Sequence, residues 1–224
     1  KQIGNQYNFP GGVSAYQQYR QFPTLNQSAF NYYSTGYNLN INDVVASGAS
    51  IFDRVEVTTP RGNTLTLKPK SGFSYLVLVK PTVPTATLTG TSFVRLNSVF
   101  VDSTNTADPA LKDPTLFFAD RTQFTDAVIA TIPAQSVWTF NYYLASSPTS
   151  IAATQTYKTR ARALTIGELQ LKGFAQISAS DIADVRANAN TNGMRPVGGA
   201  TSLDVTYSVA PGSLPPTSIQ FWGN

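Results

Sequence analysis

The sequence predicts an all-β protein: an antiparallel β-sandwich, immunoglobulin-like or jelly-roll, with about eight to ten strands and one short helix. Three observations lead to this prediction. Strand-length runs of alternating apolar and polar residues recur along the chain, clusters of Pro, Gly, Asn and Ser separate them, and one segment alone has clear helical spacing. The 224 residues are also enough for a large core that needs neither a disulfide nor a metal.

The first 42 residues differ in composition from the rest of the chain. They contain thirteen Asn or Gln residues and six Tyr residues, but only two charges, Lys1 and Arg20. Because neither helical spacing nor alternation is sustained, we expect an irregular arm over residues 1–42, which lies on its own domain or contacts a neighbouring chain. The sandwich then occupies residues 43–224, with a sub-boundary at 81–86. The side chains expected to make the arm's contacts are Tyr16, Tyr19, Tyr32 and Tyr33.

A β-hairpin follows the arm. Val55 and Val57 alternate with polar residues, and Leu65 and Leu67 do so after the turn sequence Pro-Arg-Gly-Asn at 60–63. Successive side chains of a strand point to opposite faces, so both strands have one apolar and one polar face. The sequence therefore predicts a hairpin with its apolar face on the core.

The remaining elements follow in chain order. Residues 73–79 are apolar on both faces and predict a central strand, which the prolines of the 81–86 sub-boundary end because proline lacks a backbone donor. A helix is predicted over 181–189, capped by Ser178 or Ser180. Further strands are predicted at 87–101, 115–118, 127–132, 137–144, 154–166, 203–209 and 218–222.

The composition excludes several classes of function. The chain has no His and no Cys, so a Ser-His-Asp triad and thiolate or imidazole metal ligands are absent. Charged residues make up only 12%, and the net charge of +4 is too small to predict a nucleic-acid partner. No apolar run approaches the roughly 20 residues of a membrane span. Because the chain begins at Lys1, we expect that an initiator was lost, and we expect an extracellular location or a cell or virion surface.

Catalysis would have to depend on carboxylates. Glycoside hydrolysis needs two of them, one with a raised pKa, and the only glutamates are Glu56 and Glu168. Glu56 is expected on the polar face of the hairpin beside Arg54, which is a poor place to raise a pKa. We therefore expect no enzymatic activity, with a carboxylate glycosidase as the one enzymatic alternative.

A calcium site is an alternative to the expectation of no cofactor. Asp102, Asn105 and Asp108 supply the oxygen ligands that calcium prefers. Their spacing does not match an EF-hand loop, and Asp and Asn residues ahead of Pro109 also serve ordinary turn chemistry.

An aromatic row is a candidate ligand surface. Trp138, Phe140 and Tyr142 lie on one face of a predicted strand, and Trp222 lies near the end of the sequence. Aromatic side chains combine a large apolar surface with specific stacking geometry, which suits sugar rings. A row of this kind in the middle of the chain is more often sandwich core.

A basic row is the second candidate surface. Lys158, Arg160 and Arg162 recur at every second residue, so a strand would place them on one face. Such a row could bind an acidic polysaccharide or a phosphate. It could equally guard an edge strand against aggregation.

These observations favour a non-catalytic extracellular structural or adhesive protein. We expect it to self-assemble into homo-oligomers, as a filament, surface-layer or adhesin subunit, through its N-terminal arm. The alternatives are a carbohydrate-binding module with a polysaccharide partner and a virion capsid or tail protein. Neither nucleic acid nor a membrane is expected as a partner.

Overall fold

The computed structural model describes residues 2–3, 6–7, 11–22, 30–41, 50–69, 76–79, 93–101, 107–108, 124–188 and 204–214. The all-β prediction is confirmed, since strands dominate and the three described helices are short. The strands are β1 (Gln2–Ile3), β2 (Gln6–Tyr7), β3 (Gly11–Phe22), β4 (Phe30–Ile41), β5 (Phe52–Thr58), β6 (Thr64–Pro69), β7 (Leu76–Val79), β8 (Phe93–Val101), β9 (Ala107–Asp108), β10 (Val137–Leu144), β11 (Ala153–Lys158), β12 (Gln176–Ile177) and β13 (Tyr207–Ser208). The helices are α1 (Asp126–Ala130), α2 (Ile166–Gln170) and α3 (Ala179–Asn188).

The chain forms two compact units. The first unit comprises residues 1–17, 35–97 and 113–165, and the second comprises 18–34, 98–112 and 166–224. The predicted boundaries at 42–43 and 81–86 both lie outside the described residues.

The prediction of an irregular arm is wrong where the structure describes that segment. Residues 11–22 and 30–41 form β3 and β4, two strands of twelve residues each in a sheet of order β3-β4-β8-β9. The lack of alternation did not exclude strands here, because Tyr, Thr and Asn side chains can be packed or hydrogen-bonded on a sheet without strict alternation.

The first unit contains a five-stranded sheet of order β11-β10-β5-β6-β7, in which every neighbouring pair is antiparallel. The predicted hairpin is confirmed as β5 and β6, with Val57 opposite Leu65. Its turn is closed by the Thr59 N–H, which donates to the Asn63 carbonyl at 2.8 Å. Gly62 has φ +85°, which glycine adopts at no steric cost.

Strand β10 matches its prediction, whereas β7 differs. Residues Val137–Leu144 form β10 between β5 and β11. β7 lies at the end of the described sheet order and not at its centre, yet Leu76, Val77 and Leu78 are all buried. Burial on both faces therefore accounts for the continuous apolar pattern that predicted a central strand.

The core of the first unit lies between residues of two sheets. Tyr37 and Leu39 of β4 and Leu96 of β8 are buried in one cluster with residues of β5, β6, β7 and β10, such as Val55 and Phe140. Burying each large apolar side chain contributes roughly 1.5–3 kcal/mol before entropy is counted. This arrangement is the sandwich-like fold that the alternating strands predicted.

Helices replace strand in two places. The predicted strand at 127–132 is wrong, because residues Asp126–Ala130 form α1, whose Ile129 N–H donates to the Thr125 carbonyl at 2.9 Å. A short apolar run does not distinguish helix from strand by its period. The predicted strand at 154–166 is too long, since α2 begins at Ile166 and β11 ends at Lys158.

The second unit contains the predicted helix. α3 is confirmed, and the Asp181 N–H donates to the Ser178 hydroxyl at 3.1 Å, which identifies Ser178 as its capping residue. Of the strand predicted at 203–209, β13 alone is formed in the described part, paired with β12. The strands predicted at 115–118 and 218–222 lie outside the described residues. Among the described helices, none has the length and apolar character needed to cross a membrane.

Candidate functional site

The aromatic row of β10 lies in the core of the first unit. Trp138, Phe140 and Tyr142 have 0% exposed surface. The Trp138 ring lies 4.7 Å from that of Tyr37, and Phe140 packs edge-on against Tyr157 at 4.9 Å between ring centroids. Because buried rings offer no face to a sugar, the expectation of a ligand surface at these three residues is corrected, and the alternative that the row is sandwich core is confirmed.

The hydroxyl of Tyr142 has a structural role. It lies 3.5 Å from the Tyr157 hydroxyl, which in turn donates to the side-chain carbonyl of Gln155. Burial is the main reason that the pKa of Tyr142 is raised, and the hydrogen bond with Tyr157 adds to it. The phenol therefore stays neutral at physiological pH and holds the inner face of β10 to that of β11.

The three predicted cations do not share a strand. Lys158 is the last residue of β11, and Arg160 lies in the exposed loop after it. Arg162 is half-buried and donates to the carbonyl of Ala163 at 3.2 Å. The alternation fails because Ala163 is fully buried and its N–H donates to the Tyr37 hydroxyl at 3.3 Å, which takes this segment into the core. The predicted basic stripe is thus corrected to one strand-end lysine and two loop arginines.

Two of the arm tyrosines form an aromatic cluster inside the second unit. The Tyr19 ring stacks on Phe174 with centroids 5.1 Å apart and lies 5.3 Å from the Tyr33 ring. The Tyr19 hydroxyl donates to the Asn31 side chain at 3.0 Å. Burial is the main cause that raises the pKa of Tyr19. Both tyrosines therefore pack within their own chain, which corrects the expectation that they reach a neighbouring one.

The other two arm tyrosines also lie on the sheet. Tyr32 is buried, and the Arg20 guanidinium lies 5.8 Å from its ring centroid. Tyr16 is half-buried on β3. A buried Tyr32 cannot serve as an exposed contact, so this prediction is also corrected.

Several predicted site residues fall outside what the structure describes. Asp102, Asn105 and Trp222 lie outside the described residues, and Asp108 lies on β9. The described residues contain no group of three His, Cys, Asp or Glu side chains that could hold a metal ion. Glu168 lies in the first turn of α2 and is half-buried.

Glu56 belongs to a fully connected ion cluster on the outer face of the five-stranded sheet. Its Oε1 accepts from Arg54 Nε at 2.7 Å, and its Oε2 accepts from the Tyr143 hydroxyl at 3.1 Å. The same guanidinium pairs with Asp53 at 3.0 Å, donates to the Pro148 carbonyl at 2.8 Å and lies 3.6 Å from the Tyr143 ring centroid. Both Glu56 oxygens are thus engaged within the protein, as in a structural ion pair.

A row of threonines crosses the same outer face. Thr139 of β10 lies opposite Thr156 of β11 on one side and Thr58 of β5 on the other, and Thr58 lies opposite Thr64 of β6. Neighbouring strands lie about 4.8 Å apart, so four hydroxyl-bearing side chains stand in a regular line that ends at β11. Thr156 and Thr64 are exposed, and the two inner members are half-buried. A second row alongside it contains Thr154, Asn141, Glu56 and Thr66.

The threonine row was not predicted from the sequence, although one of its pairs could have been. The hairpin turn fixes the pairing of Thr58 with Thr64, because hairpin register follows from the turn. Nothing in the sequence places Thr139 next to Thr58, because β5 and β10 are about 80 residues apart in the chain and their pairing depends on the topology.

Fold and site together define the class: an antiparallel, sandwich-like all-β protein whose five-stranded sheet has an outer face with rows of mainly uncharged polar side chains and an internally paired ion cluster. Neither a protein-family model, nor a curated protein, nor a solved structure matches the chain significantly. The functional assignment therefore rests on the geometry described above.

Proposed function

We propose that the protein is a non-catalytic structural protein that self-assembles, outside the cell or on a cell or virion surface. The observation that carries this proposal is the outer face of the five-stranded sheet. There, uncharged threonine and asparagine side chains stand in register and continue to β11, at the edge of the described sheet. Such a face can be brought against another protein surface with few charges to desolvate.

The arrangement of the carboxylates supports the non-catalytic part. A glycosidase needs one carboxylic acid that can give its proton to the leaving group and a second carboxylate at a defined distance. Glu56 accepts hydrogen bonds on both oxygens, and Arg54 binds both Glu56 and Asp53. This constellation favours a structural role in which both carboxylates brace the sheet face.

The assembly contact that the geometry favours differs from the one that the composition indicated. Tyr19, Tyr32 and Tyr33 pack within their own chain. The N-terminal segment therefore has fewer aromatic side chains available to contact a neighbouring chain than its composition indicated. The outer face and the β11 edge take its place, because they are regular and partly exposed and because the charges of Arg54, Asp53 and Glu56 on that face are paired with one another. A virion coat or tail subunit is one form that such a structural protein takes.

Most of the aromatic side chains on which the carbohydrate-binding alternative depends are not exposed to a ligand. Of the four aromatic side chains on which it depended, Trp138, Phe140 and Tyr142 are buried, and Trp222 lies outside the described residues. On the outer face of the five-stranded sheet, the Tyr143 ring is covered by the Arg54 guanidinium. The observations on this sheet therefore favour assembly over sugar binding.

Sedimentation velocity of the purified chain over a range of concentrations, with negative-stain electron microscopy of the same samples, tests the proposal. Self-assembly predicts species that grow with concentration, and particles or filaments of uniform shape. Monomers at every concentration would contradict it. A Glu56→Gln variant that assembles like the wild type would agree with a non-catalytic protein, provided that neither form hydrolyses a panel of polysaccharides.

A further inference from the structure

We propose that two copies of the chain join edge to edge through β11, antiparallel and about a two-fold axis, with Thr154 of each copy opposite Thr156 of the other. This inference rests on the proposed function and specifies its first contact. It would join the two five-stranded sheets into one continuous sheet, with the threonine-bearing faces on the same side.

β11 is an edge strand of the described sheet, with little to protect it against pairing. In the described sheet β11 has β10 on one side and no strand on the other. An edge strand presents a row of backbone N–H and C=O groups that can pair with another strand. Proteins usually protect such edges with proline, a bulge or charge, and the sequence of β11, ATQTYK, contains only Lys158 at its last position. Arg160, which the sequence placed on this strand, lies beyond it.

The β11 edge suits pairing with the same strand of a second copy of this chain. An antiparallel edge is self-complementary, so two identical strands related by a two-fold axis satisfy each other's backbone groups. The exposed side chains of the edge, Thr154 and Thr156, carry no charge, and cross-strand threonine pairs stabilise antiparallel sheets. No charge on the strand body has to be matched by a partner of opposite sign.

The register follows from the side chains that it brings together. With a two-fold axis perpendicular to the sheet, residues of the same face lie opposite each other whichever residue stands on the axis. Placing Gln155 there forms two Thr154–Thr156 pairs on the outer face, whereas Thr156 on the axis would set Thr154 opposite Lys158. On the inner face it brings together two Gln155 side chains, whose amides each have a donor and an acceptor. Lys158 then lies past the last paired residue, about 20 Å from the other Lys158 at roughly 3.4 Å per residue, so repulsion is screened.

Disulfide trapping tests this geometry cleanly, because the chain has no cysteine of its own. Opposed residues of an antiparallel pair have Cα atoms about 4.5–5.5 Å apart, within the span of a disulfide. We expect that an equimolar mixture of Thr154→Cys and Thr156→Cys chains gives a cross-linked dimer on mild oxidation, whereas either variant alone gives much less. The control is a mixture of Ala127→Cys and Ala130→Cys chains, whose substituted positions are exposed on α1 and belong neither to β11 nor to the outer face. This control should stay uncross-linked.

A second measurement does not depend on oxidation. In the double variant T154K/T156K, the proposed register opposes lysines twice, and like charges directly opposite each other destabilise a strand pair. We expect the dimer to weaken roughly tenfold in sedimentation equilibrium, since two such pairs cost about 1.4 kcal/mol together. The variant A127K/A130K adds the same charge at two exposed positions of α1, which belong neither to β11 nor to the outer face, and should dimerise like the wild type.

The outcomes separate the two proposals. If the wild type assembles but the Thr154→Cys and Thr156→Cys mixture cross-links no more than its control, the β11 contact is refuted while self-assembly stands. Efficient cross-linking of Thr156→Cys alone would overturn the register, because it places Thr156 on the axis. If the wild type remains monomeric throughout, the proposed function and this contact fail together.

Discussion

The two faces of β10 are stabilised by different physical interactions. Its inner face presents Trp138, Phe140 and Tyr142 to the core, where burial stabilises them. Its outer face presents Thr139 and Tyr143, which lie opposite Thr58 and Arg54 of β5, and the Tyr143 hydroxyl donates to Glu56 of the ion cluster. Burial is worth several kcal/mol for each large side chain, whereas partly solvated polar contacts are worth about one or less. The inner face therefore contributes most of the stability, and the outer face is the one to which we assign the proposed assembly contacts.

The strongest test of this difference is Phe140→Ala. Removing a fully buried ring that packs against Tyr157 leaves a cavity, and we expect a loss of about 3–5 kcal/mol in the free energy of unfolding. Urea unfolding followed by tryptophan fluorescence measures it. The matched variant Thr139→Ala, one residue away on the outer face, should change stability by less than about 1 kcal/mol. Equal effects of the two variants would contradict the division of roles.

The second-largest loss in the free energy of unfolding is expected from the ion cluster. Arg54→Ala removes the cation shared by Asp53 and Glu56 and uncovers the Tyr143 ring, so we expect a loss of about 1–2 kcal/mol, limited by solvent screening of these partly exposed groups. Arg61→Ala is the control, because Arg61 is exposed and its guanidinium donates to the Thr131 hydroxyl. The control should lie within about 0.5 kcal/mol of the wild type. Salt should reduce the difference between the two variants.

A smaller effect is expected from Tyr143→Phe. This change removes only the hydroxyl that donates to Glu56 at 3.1 Å and leaves the ring stacked on Arg54, so the expected loss is about 0.5–1 kcal/mol. The Tyr143→Phe and Glu56→Gln variants, measured singly and together, form a double-mutant cycle. Additive losses would show that the hydroxyl and the carboxylate do not interact.

The smallest effect concerns an exposed polar contact in the second unit. Asp181 accepts a hydrogen bond from the Thr206 N–H at 2.6 Å, and this bond is the main reason that the pKa of Asp181 is lowered. A lowered pKa means that the contact contributes above the carboxylate's ordinary range and is lost as the pH falls through its folded-state value. Hydrogen exchange of the Thr206 amide should therefore accelerate as the pH falls below about 4, after correction for the intrinsic rate. An Asp181→Asn variant should lack this pH step, and a step that persists in it would assign the effect to another group.

The accuracy of the sequence predictions follows the range of the interactions that form each element. The hairpin β5–β6, strand β10 and helix α3 were predicted within a few residues, because alternation, a turn and a serine cap act over short distances along the chain. α1 and the end of β11 were not predicted, because the fold overrides a short apolar run and places Ala163 in the core.

The candidate site shows the same division. The sequence indicated that the aromatic row is more often core than surface, and the packing of β4 and β8 residues against β10 established its burial. The threonine row was not recognised at all, because its members come from four strands whose order is set by chain topology. The exposure of a side chain and the register of a strand depend on the neighbouring strands. Neither can be predicted from the residue pattern of one strand alone.

The sequence by itself determined that this protein is all-β, that its chemistry excludes imidazole and thiolate groups, and that its surface is largely uncharged. These are consequences of residue type and local period, which act whatever the fold. Tertiary structure alone decided that residues 11–22 and 30–41 are sheet strands, that Thr139 lies beside Thr58 and that β11 lies at the edge of the described sheet. The reason is physical: long-range pairing assigns each face and edge to core, neighbour or solvent, and local alternation leaves that choice open.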